Sequence, residues 1–393
     1  MASRRWTVGT REAGEVTANQ ANDSEALLRD LVALNMTLRL SVEDYERLAA
    51  ALGGHQALRK ASPADLARVE GIGQKLAAEI VRRLRSDDAD EELRQADERS
   101  VAILPFHSPD YPALLRRTPE PPLVLYVQGA MEPADAVALA IVGSRHPTHY
   151  GVTQAGRLAS ELAARGMTIV SGLAQGIDTA AHRGALDAGG RTIAVLGGGI
   201  ARLYPAENAA LADEIVNHGA VVSEYPLHTA PLDFCFPRRN RIVSGLALGV
   251  LVIEAAFKSG ALITADWALS QGREVFALPG RVDTRNSRGC HLLIKQGAKL
   301  VETSGDILEG LGDVGKTLAP PRPRLREEPL ALVAEQLAVY KAIGDDPTQI
   351  DAITDAAGLP AQQVASILML LELKRAVTQL PGKHFVRRAE QPE

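Results

Sequence analysis

From residue 101 to residue 312, short continuous apolar runs recur between longer stretches whose apolar positions follow helical spacing. The runs occupy residues 138–142, 168–170, 192–196, 220–222, 250–253 and 275–278. A strand that is apolar at every position needs cover on both faces, and alternating helices supply it. The pattern predicts an α/β fold: an extended Rossmann-like, doubly wound parallel sheet over 101–312, with 124–127 as an extra strand ahead of it. Residues 24–86 read as short helices, a small domain of SAM or helix-hairpin-helix type. Residues 330–343, 350–357 and 361–373 read as three helices and 376–386 as a β-like tail, the pattern of a winged-helix-like domain over 331–388. Residues 1–23 read as a disordered tail, 87–100 as an acidic linker and 313–330 as a proline-rich linker.

A chain of 393 residues exceeds one ordinary core, and 46% apolar with 23% charged residues is a soluble globular composition. No run reaches the roughly 18 apolar residues of a membrane span, and the N-terminal residues lack the apolar stretch of a secretory signal. A cytoplasmic protein with no membrane partner is expected. Cys235 and Cys290 have neither metal-site nor disulfide-framework spacing, so no metal is expected. The net charge of −5 argues at first against nucleic acid. Residues 87–98, however, hold seven acids and one arginine, a local −6 that leaves +1 for the rest. A nucleic-acid surface would therefore be a local basic pocket, not a basic face.

The positions after the runs carry the chemistry. Gly143-Ser144-Arg145 follows the first, Ser171-Gly172 opens the stretch to Asp178 after the second, and Gly197-Gly198-Gly199 follows the third. Ser223-Glu224-Tyr225-Pro226 follows the fourth, Glu254 and Lys258-Ser259-Gly260 the fifth, and Pro279-Gly280 the sixth. Parallel sheets bind ligands beyond the carboxyl ends of their strands, and glycine loops leading into helix N-termini suit anions. Any one loop could be only a tight turn; several on one edge point to a phosphate-bearing ligand. The cluster Phe236-Pro237-Arg238-Arg239-Asn240-Arg241 adds three arginines with no acid close in sequence. Guanidinium groups suit phosphates, and Phe234, Phe236 and Tyr204 offer faces for bases. The alternative is a solvated basic helix start.

Three other patterns carry less. Val69-Glu70-Gly71-Ile72-Gly73 ahead of the amphipathic run 74–84 is either a phosphate-binding hairpin or a glycine turn between packed helices. Residues Gly310 to Thr317 satisfy the Walker A pattern, but a helix-like segment precedes them and prolines follow, so the strand–loop–helix context is missing. Asp178 and His182, four apart on one helix, could be an acid/base pair, though a helix-start carboxylate that caps or orients the imidazole is the commoner arrangement. No GxGxxG follows the first strand, which disfavours a dinucleotide cofactor, and no cofactor is expected.

Taken in order, IVGSR with YG (141–151), VSGLAQGIDTAAHRGAL (170–186), TIAVLGGG with YPAEN (192–208), SEYP, FPRRNRIVSGL (236–246), VIEAAFKSGALITA (252–265) and GREVFALPG (272–280) closely resemble the DprA (DNA-processing protein A, Smf) family. The resemblance covers about 101–310, and the flanking domains also look like that family's. It implies a non-enzymatic homodimer that binds single-stranded DNA, protects incoming DNA and loads the RecA recombinase during natural transformation or recombination. It carries the phosphate pocket over to Gly143, Ser144, Arg145, Ser171, Gly172, Arg238, Arg239, Asn240, Arg241, Lys258, Ser259 and Gly260. One departure is that Ala206 and Glu207 follow the YP, where some relatives have lysine, which shifts the basic role to Arg145 and the arginine cluster. The alternative function is a nucleotide N-glycosidic hydrolase resembling the LOG family. The stretch EAAFKSGALIT lacks that family's PGGxGT loop and catalytic glutamate, so this reading ranks lower.

Overall fold

A computed structural model describes residues 18–38, 40–318, 332–344, 347–374 and 376–387. These fall into two compact units that divide between Pro321 and Arg322. Residues 1–17 of the expected tail and 319–330 of the expected linker lie outside the described residues. Residues 18–23 of that tail are instead the start of a helix, α1 (Ala18–Asn35), and the linker's first residues are helical too.

In the first unit, α1 is followed by α2 (Val42–Leu52), α3 (His55–Leu58), α4 (Pro63–Leu66), α5 (Gln74–Arg85) and α6 (Asp88–Glu98). Serines at the N-caps of α2 and α4 form capping boxes with Asp44 and Asp65, which explains where these short helices begin. Gly71, at φ +83°, turns the chain from α4 toward α5. The stretch read as an acidic linker is the helix α6. Its Glu92 is buried and accepts the Leu227 N–H at 2.6 Å, so the carboxylate faces inward while its acidic neighbours stay solvated.

The strands are β1 (Val101–Pro105), β2 (Val124–Gly129), β3 (Ala138–Gly143), β4 (Thr168–Ser171), β5 (Thr192–Val195), β6 (Gly219–Ser223), β7 (Gly249–Ile253), β8 (Glu274–Ala277) and β9 (Lys299–Leu300). Their order is β1-β2-β6-β5-β4-β3-β7-β8-β9. From β6 to β9 every pairing is parallel, whereas β1, β2 and β6 pair antiparallel. The helices between are α7 (Ala113–Arg116), α8 (His149–Ala163), α9 (Ile177–Asp187), α10 (Ala209–His218), α11 (Cys235–Gly245), α12 (Gly260–Ser270), α13 (Arg288–Lys295), α14 (Ser304–Gly310) and α15 (Asp313–Thr317).

Alternation along β3 shows why the run is apolar throughout. Leu139 and Ile141 pack with Leu158 and Leu162 of α8 on one face; Ala140 and Val142 pack with Ile242 and Val243 of α11 on the other. The chain steps outward from β3 through β4 and β5 to β6, then returns to the far side of β3 as β7. The direction of winding therefore reverses between β3 and β7.

The second unit holds α16 (Ala334–Ala342), α17 (Ile350–Ala357) and α18 (Ala361–Leu373), with β10 (Thr348–Gln349), β11 (Val377–Leu380) and β12 (His384–Arg387) in a small sheet. Val339, Ile353, Val364, Leu368 and Phe385 close its core. No single described helix is long and apolar enough to cross a membrane.

Candidate nucleic-acid interface

Because winding reverses between β3 and β7, the loops leaving these strands part, and a crevice opens at the carboxyl edge of the sheet. A cavity of about 460 Å³ occupies it. Gly143, Ser144 and Arg145 line it after β3, Gly172, Ala174 and Asp178 after β4, and Ser259, Gly260 and Thr264 at the start of α12. Phe236, Arg239 and Asn240 of α11 form another wall. A second cavity of about 180 Å³ shares Arg145, Gly172, Phe236 and Arg239 and adds Gln175 and Tyr204.

Arg239 is the electrostatic centre. It is buried, and its guanidinium donates to the carbonyls of Gly172 (2.6 Å) and Val195 and to Asn240 Oδ1 (3.2 Å). Among the described residues no carboxylate lies within ion-pairing distance of it. Burial draws its pKa down to about 10, Asp178 opposes that shift and Arg145 adds to it. A buried cation whose hydrogen bonds all go to neutral groups, with Asp178 acting on it only through space, is incompletely compensated, and an anion in the cavity would complete it. Gly172 makes this arrangement possible, since a Cβ there would fall 2.5 Å from the guanidinium nitrogens. The glycine serves arginine packing as well as ligand approach.

Asp178 accepts the N–H groups of Gly172 (3.1 Å) and Ala174 (3.3 Å), fixing the loop after β4; burial raises its pKa. It caps the loop and makes no bond to His182. His182 Nδ1 lies 2.7 Å from Thr192 Oγ1, whose own proton goes to the Ile169 carbonyl. The imidazole is therefore the donor, and its buried Nε2 has no hydrogen-bond partner. Burial first, and Arg239 second, lower its pKa to about 3. Leu173 (φ 58°) and Glu254 (φ 52°) both hold left-handed backbone on this edge, where strain collects around binding loops.

Arg145 is exposed, and its guanidinium lies 5.4 Å above the Phe236 ring. The Tyr204 ring sits 5.7 Å from Phe236. Cation and rings form a stepped platform of the kind on which bases stack.

Four expected site residues do not line either cavity. Ser171 is wholly buried and donates to the Ile141 carbonyl. Arg238 reaches the Leu38 carbonyl (2.9 Å) and approaches Glu224. Arg241 is buried in an ion pair with Glu224 at 2.7 Å. The arginine cluster thus has an acidic partner, hidden from local sequence by the distance to Glu224. Lys258 is exposed outside the cavity. Conversely, Asp233, Gln175 and Thr264 line the cavities without having been singled out. Thr264 stands one helical turn after Gly260, a spacing that the motif itself displays.

The Walker-like residues do not form a phosphate loop. They span the end of α14 and the short α15, and Lys316 pairs with Asp313 at 2.9 Å.

Fold and site define a doubly wound α/β protein with an anion-receptive cavity at its switch point and a separate winged-helix unit. The family model of the DNA recombination-mediator protein A matches residues 102–312, and that of the DprA winged helix domain matches 320–383. Protein Smf of Escherichia coli is 44% identical over 295 residues, covering 73% of this chain and 78% of its own. The DNA processing protein DprA of Bacillus subtilis is 44% identical over 215 residues, 54% of this chain and 72% of its own. The solved structure of DprA from Streptococcus pneumoniae aligns with a TM-score of 0.64 at 35% identity, covering 72% of this chain and 97% of that one. The chain belongs to the DprA family of DNA-processing, recombination-mediating proteins.

Proposed function

We propose that the protein is a non-enzymatic mediator that holds single-stranded DNA in the crevice between β3 and β7 and passes it to the RecA recombinase, acting as a homodimer in the cytoplasm. The observation that carries this reading is Arg239, a buried guanidinium with no ion-paired carboxylate among the described residues, on a cavity rimmed by Arg145, Phe236 and Tyr204. A phosphate satisfies the cation, and an unpaired base satisfies the rings; a duplex keeps its bases stacked away from such a platform. The cavity's Asp178 is committed to two backbone N–H groups, which favours a positioning role over acid/base chemistry.

Gel-shift titration of the full chain with single-stranded and duplex oligonucleotides, alongside a nucleoside-monophosphate hydrolysis assay on the same preparation, tests the reading. Preference for the single strand without hydrolysis is expected. Equal affinity for both forms, or release of free base, would overturn it.

A further inference from the structure

Along the carboxyl edge the sheet continues past the cavity, from β7 to β8, and the loop after β8 folds back toward it. Asn286 donates to the His146 carbonyl at 3.1 Å and reaches Glu254 at 3.4 Å, and Gly289 N–H donates to the Ala255 carbonyl at 2.7 Å. The 279–288 segment is thereby docked on the two loops that bound the crevice. Residues 280–288 carry three arginines and one acid, Asp283, which Arg281 holds at 3.2 Å. Arg285 and Arg288 are exposed and make no ion pair among the described residues. Aromatic faces accompany them. Tyr150 is 45% exposed with its hydroxyl donating to the Pro279 carbonyl, and Phe257, beside the exposed Lys258, is 61% exposed.

We infer that Phe257, Lys258, Tyr150, Arg285 and Arg288 form a second track for single-stranded nucleic acid, continuing the strand from the cavity onto the β8 loop. The inference rests on the proposed binding of single-stranded DNA in the cavity and extends its footprint. Exposed cations with interleaved aromatic rings are what a single strand uses outside a pocket: phosphates meet the arginines and bases lie on the rings. Glu254 is buried and accepts from Thr148 and Asn286, and the three exposed cations Lys258, Arg285 and Arg288 outnumber it. Lys258, outside the cavity, finds its role here.

The test measures affinity of the full chain for oligothymidylates of about 6 and about 16 nucleotides, the range of single-strand site sizes. The double variant Arg285→Ala/Arg288→Ala should bind the longer strand about tenfold more weakly, as two phosphate contacts of modest strength imply. Its salt dependence for that strand should become shallower by about 1.4, at roughly 0.7 per lost contact. Binding of the shorter strand should be unchanged, which also reports an intact fold. Unchanged long-strand binding, or equal losses on both lengths, would overturn the track. Arg145→Glu should weaken both lengths; if it weakens neither, the cavity reading fails while the β8-loop result stands on its own.

Discussion

Two arginines two positions apart on α11 show how context assigns a role to a side chain. Arg241 points at Glu224 and is spent in a buried pair; Arg239 finds only carbonyls and an amide. The sequence displays both as equal members of one cluster, because Glu224 lies at the end of another strand and its proximity is a product of the fold. Ser171 is hidden for the same reason, as its partner Ile141 belongs to β3. The place of Gly143, Ser144, Arg145 and Gly260 on the cavity wall was legible because the apolar runs mark where each loop begins. His182 supports a prediction at this scale. Its folded pKa of about 3 lies below the ordinary 6.5. In the unfolded chain it takes up a proton below pH 6.5 that the folded protein refuses until about pH 3. Stability is therefore complete above 6.5 and falls with decreasing pH, by at most about 1.4 kcal/mol per pH unit. Asp178, raised by burial, works in the opposite sense at the acid end, so the informative quantity is a difference. Urea denaturation between pH 7 and pH 5 (about 1.5 units below the usual imidazole range at its end) should give a steeper loss for the native chain than for His182→Gln. Identical slopes would mean that His182 is protonated inside the fold.

Elements buried on both faces announced themselves. The six apolar runs became β3 to β8 because a central parallel strand has no solvent side on which to place polar residues. The edge strand β1 has a mixed burial pattern and β9 spans only Lys299–Leu300, so neither leaves a comparable trace. Acidic composition at 87–100 suggests a solvated linker and masks the inward face of α6, where Ala89 and Ala96 are buried and Glu92 accepts the Leu227 N–H. That contact yields the second prediction. Glu92→Ala leaves the buried Leu227 N–H without its acceptor and should lower stability by about 1–3 kcal/mol in urea denaturation. Glu91→Ala, on the same helix but bonded only at the surface, to Arg94 and Gln95, should cause no measurable change. Equal effects from the two substitutions would return α6 to the status of a linker.

Both described cavities, with the groups that suit an anion, lie at one edge of one sheet, despite a net charge of −5. Acidic residues gather on the outer side of α6, while the crevice presents Arg145, Arg239 and the platform of Phe236 and Tyr204. On the proposed reading nucleic acid is drawn in locally, through a few contacts, and affinity should depend on salt only as steeply as those contacts require. In the winged-helix unit α18 exposes Met369 and Leu373 and carries no lysine or arginine, in keeping with the proposal that the α/β unit holds the strand. The most direct measurement is fluorescence-anisotropy titration of one single-stranded oligonucleotide over a series of salt concentrations, using the native chain and Arg145→Glu. The native chain should show log affinity falling linearly with log salt, at roughly −0.7 for each phosphate held. Arg145→Glu should weaken binding by more than about tenfold and flatten that slope, because a charge is reversed at the mouth of the cavity. Affinity independent of salt, or a variant that binds as tightly as the native chain, would contradict phosphate capture at the crevice.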